Sequence, residues 1–173
     1  MNIRPAQISD ATAIAEVHVA SWQTAYRGIL PDKMLDNLSV ETRAKNWRAW
    51  LDESRGQTIV VEVEGQVVGF VMFGRTRDKD VDLNAVGEIY AIYLHPDVWR
   101  QGYGRSLVNA VKSALQRDGF SELLLWVLAE NESAIHFYKK VGFHADGATK
   151  VEFEPDGTEL FERRYRQPIT FTV

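Results

Sequence analysis

The sequence predicts a mixed α/β (α+β) fold, with a mostly antiparallel central sheet of about seven strands flanked by helices. Three observations predict it. Strand-like segments at 58–63, 67–73 and 87–94 follow one another through the turn Glu64-Gly65 and a charged loop, the layout of a meander. The apolar run from Glu122 to Leu128 follows a helix with one buried stripe, which is how a right-handed crossover to a parallel strand reads. Segments 149–153 and 160–165 flank Pro155-Asp156-Gly157, a hairpin turn.

Taken in order, Ile3-Arg4-Pro5-Ala6 is a short first strand, and Ser9 or Asp10 caps the helix that follows. That helix runs to about Tyr26, with Ile14, His18, Trp22 and Tyr26 at i+4 spacing. Gly28 and Pro31 break the chain before a short helix at 33–38. Ser39 to Thr42 forms a capping turn for a helix carrying Ala44, Trp47 and Leu51, where Trp47 and Trp50 are packing residues. The charged stretch from Arg75 to Asp82 is expected to be a mobile, solvated hairpin tip. No repeat, linker or low-complexity segment interrupts the chain, so residues 1–173 are expected to form a single domain.

The stretch with most chemical content runs from Gly87 to Arg105. Its first half is a strand rich in Tyr and Ile that stops at His95-Pro96, where proline withdraws a backbone donor. Its second half holds Gly102 and Gly104 and opens onto a helix with apolar residues at Leu107, Val108, Val111, Ala114 and Leu115. A helix N-terminus presents unpaired N–H groups and the positive end of the dipole, so it suits an anion. Glycine lets a ligand approach the backbone, and Arg100 and Arg105 add positive charge. A pyrophosphate is the natural occupant, although a plain strand-to-helix turn also needs glycine. The P-loop is excluded, because no lysine follows Gly104. The dinucleotide fingerprint is excluded, because its third small position holds Leu107.

Trp99-Arg100-Gln101-Gly102-Tyr103-Gly104 resembles the Arg/Gln-x-x-Gly-x-Gly/Ala motif of the GNAT superfamily of N-acetyltransferases. It departs at the first position, which holds Trp99, so Arg100, Gln101 or backbone amides must supply what that side chain would. A second segment, Asn131-Glu132-Ser133-Ala134-Ile135-His136-Phe137-Tyr138-Lys139-Lys140-Val141-Gly142-Phe143, is similar to the C-terminal motif of the same superfamily. Asn131 is placed to cap its helix and Gly142 to end it. The resemblance implies acetyl-CoA as co-substrate, held between two parallel strands that splay apart. It implies main-chain contacts to coenzyme A at Ile92, Tyr93 and Leu94. It also implies contacts at Arg100, Gln101, Gly102, Tyr103, Gly104, Arg105, Asn131 and Tyr138. In the family, helices near the first strand contact the acceptor, which makes Trp22 and Tyr26 candidate pocket walls beside their plainer reading as core.

The net charge is −4 with no basic run, which argues against nucleic acid as the main partner. The absence of cysteine excludes disulfides, thiolate metal sites and an acyl-cysteine intermediate. Four histidines without ligand spacing predict no metal. No segment approaches a membrane span and the N-terminus lacks a signal-peptide core, so a cytoplasmic protein is expected. The family is often dimeric, and the C-terminal hairpin offers an edge for a homodimer.

Acyl transfer to an amine needs a neutral nucleophile, and at neutral pH only about one lysine-like amine in a thousand is neutral. Glu88 is the candidate base, with burial expected to raise its pKa. On a regular strand it shares a face with Tyr90 and Ile92, towards the acceptor. Its alternative is a carboxylate that pairs with an arginine or only orients the substrate ammonium; Tyr90 and His95 are reserves. Tyr138 is the candidate acid for the departing thiolate. The resulting reading is direct transfer of acetyl from acetyl-CoA to a primary amine of a small molecule or peptide, in a ternary complex. The rivals are a non-catalytic acyl-CoA-binding or sensor domain and a protein-lysine acetyltransferase.

Overall fold

The computed structural model describes residues 1–170; the last three residues of the expected domain lie outside the described residues. Seven strands form one sheet in the order β1-β2-β3-β4-β5-β7-β6. They are β1 (Asn2–Pro5), β2 (Gln57–Val63), β3 (Gln66–Arg75), β4 (Val86–Leu94), β5 (Glu122–Leu128), β6 (His144–Phe153) and β7 (Glu159–Pro168). Every neighbouring pair is antiparallel except β4 with β5. The expected meander is β2-β3-β4, and the expected crossover joins β4 to β5.

The helices divide between the two faces. On one face lie α1 (Ala11–Ala25), α2 (Asp32–Asp36) and α3 (Val40–Asp52). There Ile14, Val17 and Trp47 meet Val60 and Phe70 of the sheet, while Trp22, Tyr26, Leu30 and Leu35 meet Leu128. On the other face, α4 (Tyr103–Arg117) and α5 (Glu132–Lys140) bury Leu107, Val111, Leu115 and Tyr138 against Val71, Ile89, Leu123 and Leu125. The single apolar stripe of α4 is what lets it cover the sheet with one side and leave the other wet. Ser39 caps α3 by accepting the Thr42 N–H. Asp10 does not cap α1 with its side chain; that carboxylate is taken by Arg4 at 2.7 Å and by the Gln7 N–H.

Two expectations are corrected by the fold. First, β4 carries a bulge. Met72 pairs with Ala91 and Phe73 with Ile89, so Tyr90 is an extra residue. A bulge shifts the alternation of a strand by one. Ile89, Ile92 and Leu94 therefore face α4, whereas Ala91 and Tyr93 face α1 and α3. Glu88 does not share a face with Ile92; it lies on the α1 side with Tyr93. Second, the 75–82 loop is anchored. Arg164 of β7, 7% exposed at its side chain, binds Asp78 at 3.0 Å and Asp80 at 2.8 Å. Trp126 donates its indole N–H to the same Asp78. The acidic residues that read as a solvated tip are the partners of a buried guanidinium.

His18 is the polar point of the α1 face. It is 6% exposed, accepts the Trp47 indole N–H at Nδ1 (3.1 Å), and stacks on Tyr93 at 5.1 Å. Burial pushes its pKa down to about 3, with Arg43 acting in the same direction. The unfolded chain takes up this proton near pH 6.5 and the folded chain refuses it. This contribution to stability is therefore intact above about pH 6.5 and is lost as pH falls towards 3. Urea unfolding at stepped pH is expected to show a loss of about 1.4 kcal/mol per pH unit from this group between pH 6 and 4. The loss should be missing in the His18→Gln protein, whatever its absolute stability.

Candidate active site

Parallel pairing between β4 and β5 covers Val86↔Glu122 through Ile89↔Leu125 and stops there. Beyond that point the two strands part while β3 stays paired with β4 as far as Gly69↔Leu94. The His95 N–H donates to Val68 on the β3 side. Strand alternation then turns the amides of Leu94 and Ile92 to the opposite edge, into the opening towards β5. The Leu94 carbonyl is consistent with this, since it is free of β3 and accepts the Trp99 indole N–H at 2.9 Å.

That bond explains the departure at Trp99. The indole ties the loop back to the strand end, and Gln101 donates to the Asp97 carbonyl at 3.3 Å for the same purpose. Of the groups the sequence nominates to replace the missing side chain, Gln101 is thus engaged within the loop. Arg100 is exposed, with a left-handed φ of 64°. Gly102 precedes α4 at a φ of +89°, and the first α4 amide to bond back to it is that of Ser106. The earlier N–H groups of the turn point out of the helix end. Arg105 leans the other way and donates to the Lys140 carbonyl at the end of α5, where a cation suits the helix dipole.

The two glycines serve different needs. A β-carbon on Gly102 meets nothing within 4 Å, so this position is glycine for its φ. A β-carbon on Gly104 would lie 2.9 Å from Phe137, so this position is glycine because α5 packs onto α4 there. Tyr103 packs into the same core. Gly104 thus has a packing reason to be glycine beside the expected approach of a ligand.

Asn131 caps α5, with its side chain accepting the Ala134 N–H at 3.1 Å. Two turns later Tyr138 is 9% exposed and packs on Phe137 and Phe143. Burial raises its pKa, and Tyr93 adds to the effect. The charge of Tyr138 is also felt at Tyr26. Tyr93 and Tyr26 pack on the α1 face and Tyr138 on the α5 face. The Tyr26 and Tyr93 hydroxyls lie 3.3 Å apart.

Glu88 is 1% exposed and fully engaged. Oε1 takes the Arg77 guanidinium at 2.6 Å; Oε2 takes the Arg77 backbone N–H at 2.9 Å and the Thr76 hydroxyl at 3.4 Å. This is the arginine-paired arrangement. Arg77 also lies over the Tyr90 ring at 4.6 Å. Trp22 and Tyr26 are buried, as the packing reading has it, yet the Trp22 indole N–H has no hydrogen-bond partner. It eases the ionisation of Tyr93 from nearby without meeting hydrogen-bond geometry.

Sequence reasoning missed the side chain of Tyr93, which was read only for its backbone, and Arg77, which was read as loop charge. It also missed Glu162, an acidic residue at an inward position of the Leu160-x-Glu162-x-Arg164 alternation. Open surface hollows over α3 (Ile8, Lys45, Arg48, Asp52) and beside β7 (His144, Asp146, Arg166) hold none of the nominated groups. Among the described residues no group of three or more His, Cys, Asp or Glu is placed to hold a metal. No helix among them is long and apolar enough to cross a membrane.

The model of the Acetyltransferase (GNAT) family matches residues 18–143. The chain belongs to this family. It is 33% identical over 162 residues to the uncharacterized N-acetyltransferase YuaI of Bacillus subtilis, covering 94% of this chain and 90% of that one. It is 28% identical over 148 residues to the L-amino acid N-acyltransferase MnaT of Escherichia coli, with 83% and 79% covered. Among solved structures, a putative acetyltransferase, yncA from Salmonella typhimurium with acetyl-CoA, superposes with a TM-score of 0.70 at 22% identity and covers 100% of this chain and 96% of that one. The GNAT fold expected from the two motifs is thus the fold observed, and the chain is an N-acetyltransferase by family.

Because the glycines of this GNAT loop differ in cause, substitutions there should separate. Gly104→Val has to displace Phe137 and is expected to lose about 1–3 kcal/mol in urea unfolding. Gly102→Ala has room and should lose about 1–2 kcal/mol, from backbone strain alone.

Proposed function

We propose that this chain moves an acetyl group from acetyl-CoA to a primary amine of a small molecule or peptide, by direct transfer in a ternary complex within a single domain. The observation that carries the reading is the opening between β4 and β5. It offers the backbone amides of Ile92 and Leu94 on one strand, and the α4 N-terminus lies at its end. The amides fit the main chain of a pantetheine arm, and the Gly102–Arg105 turn with Arg100 fits its pyrophosphate. Bound acetyl-CoA would supply the thioester carbonyl, and an amide N–H of the open edge would hold its developing negative oxygen.

Tyr138 enters as a hydrogen-bond donor to the departing sulfur. A thiol has a pKa near ~8.5 and an ordinary phenol near ~10. Burial moves Tyr138 higher still, so full proton transfer is uphill and the hydroxyl stays available to donate at every working pH. Glu88 enters as a positioning group, since both of its oxygens are already taken; it holds Arg77 and with it the β3–β4 loop. Trp22 and Tyr26 wall the acceptor side. The relative named for L-amino acids makes amino acids the first arm of an acceptor panel.

The test is thiol release from acetyl-CoA across amino acids, simple amines and basic peptides, with a no-acceptor blank. Release stimulated by one class is expected; tight acetyl-CoA binding with no release for any class would return the sensor reading. In the Tyr138→Phe protein turnover should fall about tenfold or more with acetyl-CoA binding retained. Unchanged turnover would remove Tyr138 from the mechanism.

The proposal extends to a homodimer through β6, the strand at the edge of the sheet. Val151, Phe153 and Phe161 are exposed together on its hairpin, and an edge strand can pair with its own copy about a two-fold axis. Sedimentation should show a dimer, and Phe153→Lys should shift it to monomer.

A further inference from the structure

Glu162 lies on β7 opposite Leu128 of β5 and Lys150 of β6. It faces the α1 side between Leu160 and Arg164. Leu160 packs into the cluster of Trp22, Tyr26, Leu30, Leu35 and Leu128. The Glu162 side chain is 18% exposed, so it is mostly sheltered but reachable. Among the described residues its ion-pair partner is Lys150, at 3.6 Å, and that lysine lies closer to Glu152 (3.1 Å) and over the Trp126 ring at 4.6 Å. Glu88, by contrast, has both oxygens bound and no exposure to offer an arriving group.

The position of Glu162 relative to the opening is set by its neighbours. Leu128, its partner on β5, lies three residues beyond Leu125, the last β5 residue paired with β4, so Glu162 flanks the stretch of β5 that has left β4. Tyr26 and Tyr93, whose hydroxyls lie 3.3 Å apart, pack with Leu128 and Leu160 on the same side. The same cluster holds the buried Trp22 indole N–H, which makes no hydrogen bond of normal geometry and has only the Tyr93 hydroxyl nearby, with ring centres 5.0 Å from Tyr26 and 6.4 Å from Tyr93. A buried donor without a partner is satisfied when a ligand brings an acceptor atom. Aromatic walls and one under-used carboxylate suit a cation.

We propose that Glu162 is the carboxylate that receives the acceptor amine, first pairing with its ammonium and then accepting the proton that its nitrogen sheds. The proposal rests on the acetyl-transfer reading above. In the step, the paired ammonium first gives one proton to Glu162, which releases it to solvent; the neutral amine nitrogen then forms a bond to the thioester carbonyl carbon and the carbon–sulfur bond breaks. The sulfur leaves with the bonding electrons towards the Tyr138 hydroxyl. The surplus proton on nitrogen passes to the Glu162 carboxylate, directly or through one water, and later to solvent. Acetyl-CoA is the only other reactant.

The charged and titratable groups around Glu162 are Lys150 and Glu152 from β6, Arg77 from the β3–β4 loop, Tyr26 from α1, Tyr93 from β4 and Arg164 on its own strand. Burial raises the pKa of Glu162 most, Lys150 pulls it down, and Glu152 pushes it up. A carboxylate raised in this way is a better proton acceptor at neutral pH than an ordinary one.

The experiment is the pH dependence of kcat/KM for the best acceptor, with acetyl-CoA binding measured alongside. In the Glu162→Gln protein kcat/KM should fall about a hundredfold, the acid limb of the profile should vanish, and acetyl-CoA affinity should hold. In the Lys150→Met protein, which keeps the carboxylate, the acid limb should move to higher pH by roughly 0.2–0.7 units, the size of a partly exposed ion pair. Glu88→Gln should lower the rate with the limb in place. An acid limb that survives Glu162→Gln, fails to move in Lys150→Met, or disappears only with Glu88→Gln overturns the assignment. Those results would leave acetyl transfer standing. A wild-type protein that acetylates no amine overturns both.

Discussion

A strand held on one edge and abandoned on the other is the constraint from which the site follows. β3 keeps β4 in register to its end, while β5 lets go after Ile89↔Leu125. Backbone groups in the interior are normally all paired. Here the amides of Ile92 and Leu94 are kept unpaired by the fold and kept rigid by β3, so a ligand finds them oriented before it arrives. The bulge at Tyr90 sits next to the last paired residue and adds local twist, which is a physical reason for the two strands to part where they do.

The β3–β4 loop on the α1 face is held in a different way, by charge. Burying a guanidinium is costly unless its donors are met, and Arg164 meets Asp78, Asp80 and Asp146 within 3.0 Å. Those bonds staple the β3–β4 loop across β5 and β7. The loop in turn delivers Arg77 to Glu88, with the carboxylate buried and the guanidinium at the rim. A chain of ion pairs of this kind adds little net stability, but it restricts where the loop can sit. The loop is thereby fixed on the α1 side of the sheet, and both oxygens of the carboxylate that holds it are taken.

Local patterns in the sequence were enough for the seven strands, the crossover and both helix termini of the site. Ser39, Asn131, Gly102 and Gly142 each answer to a cap or a positive φ that their own neighbours demand. What stayed illegible depended on partners distant in the chain. Asp78 and Asp80 read as solvent-facing because Arg164 lies 84 or more residues away. The role of Gly104 depends on Phe137, which belongs to another helix. The face occupied by Ile92 could not be read by alternation, because a bulge of one residue inverts every side chain after it and leaves no mark in composition. Trp99 looked like a defect in a motif until its indole was seen to bond the strand end five residues back.

The sheet also divides the chemistry of transfer. Tyr138 packs on the α5 face, and burial favours its protonated form. The aromatic cluster of Trp22, Tyr26 and Tyr93 lies on the α1 face, as does the sheltered Glu162. In the proposed reaction an amine on the α1 side and a thiol on the α5 side do not compete for the same group. Proton removal and sulfur stabilisation then fall to residues whose environments differ in kind, a polar rim on one face and an apolar helix packing on the other. Such a separation lets one sheet keep an acid neutral and a base charged at the same pH without the two ever meeting, and it needs only that the strands between them stay open.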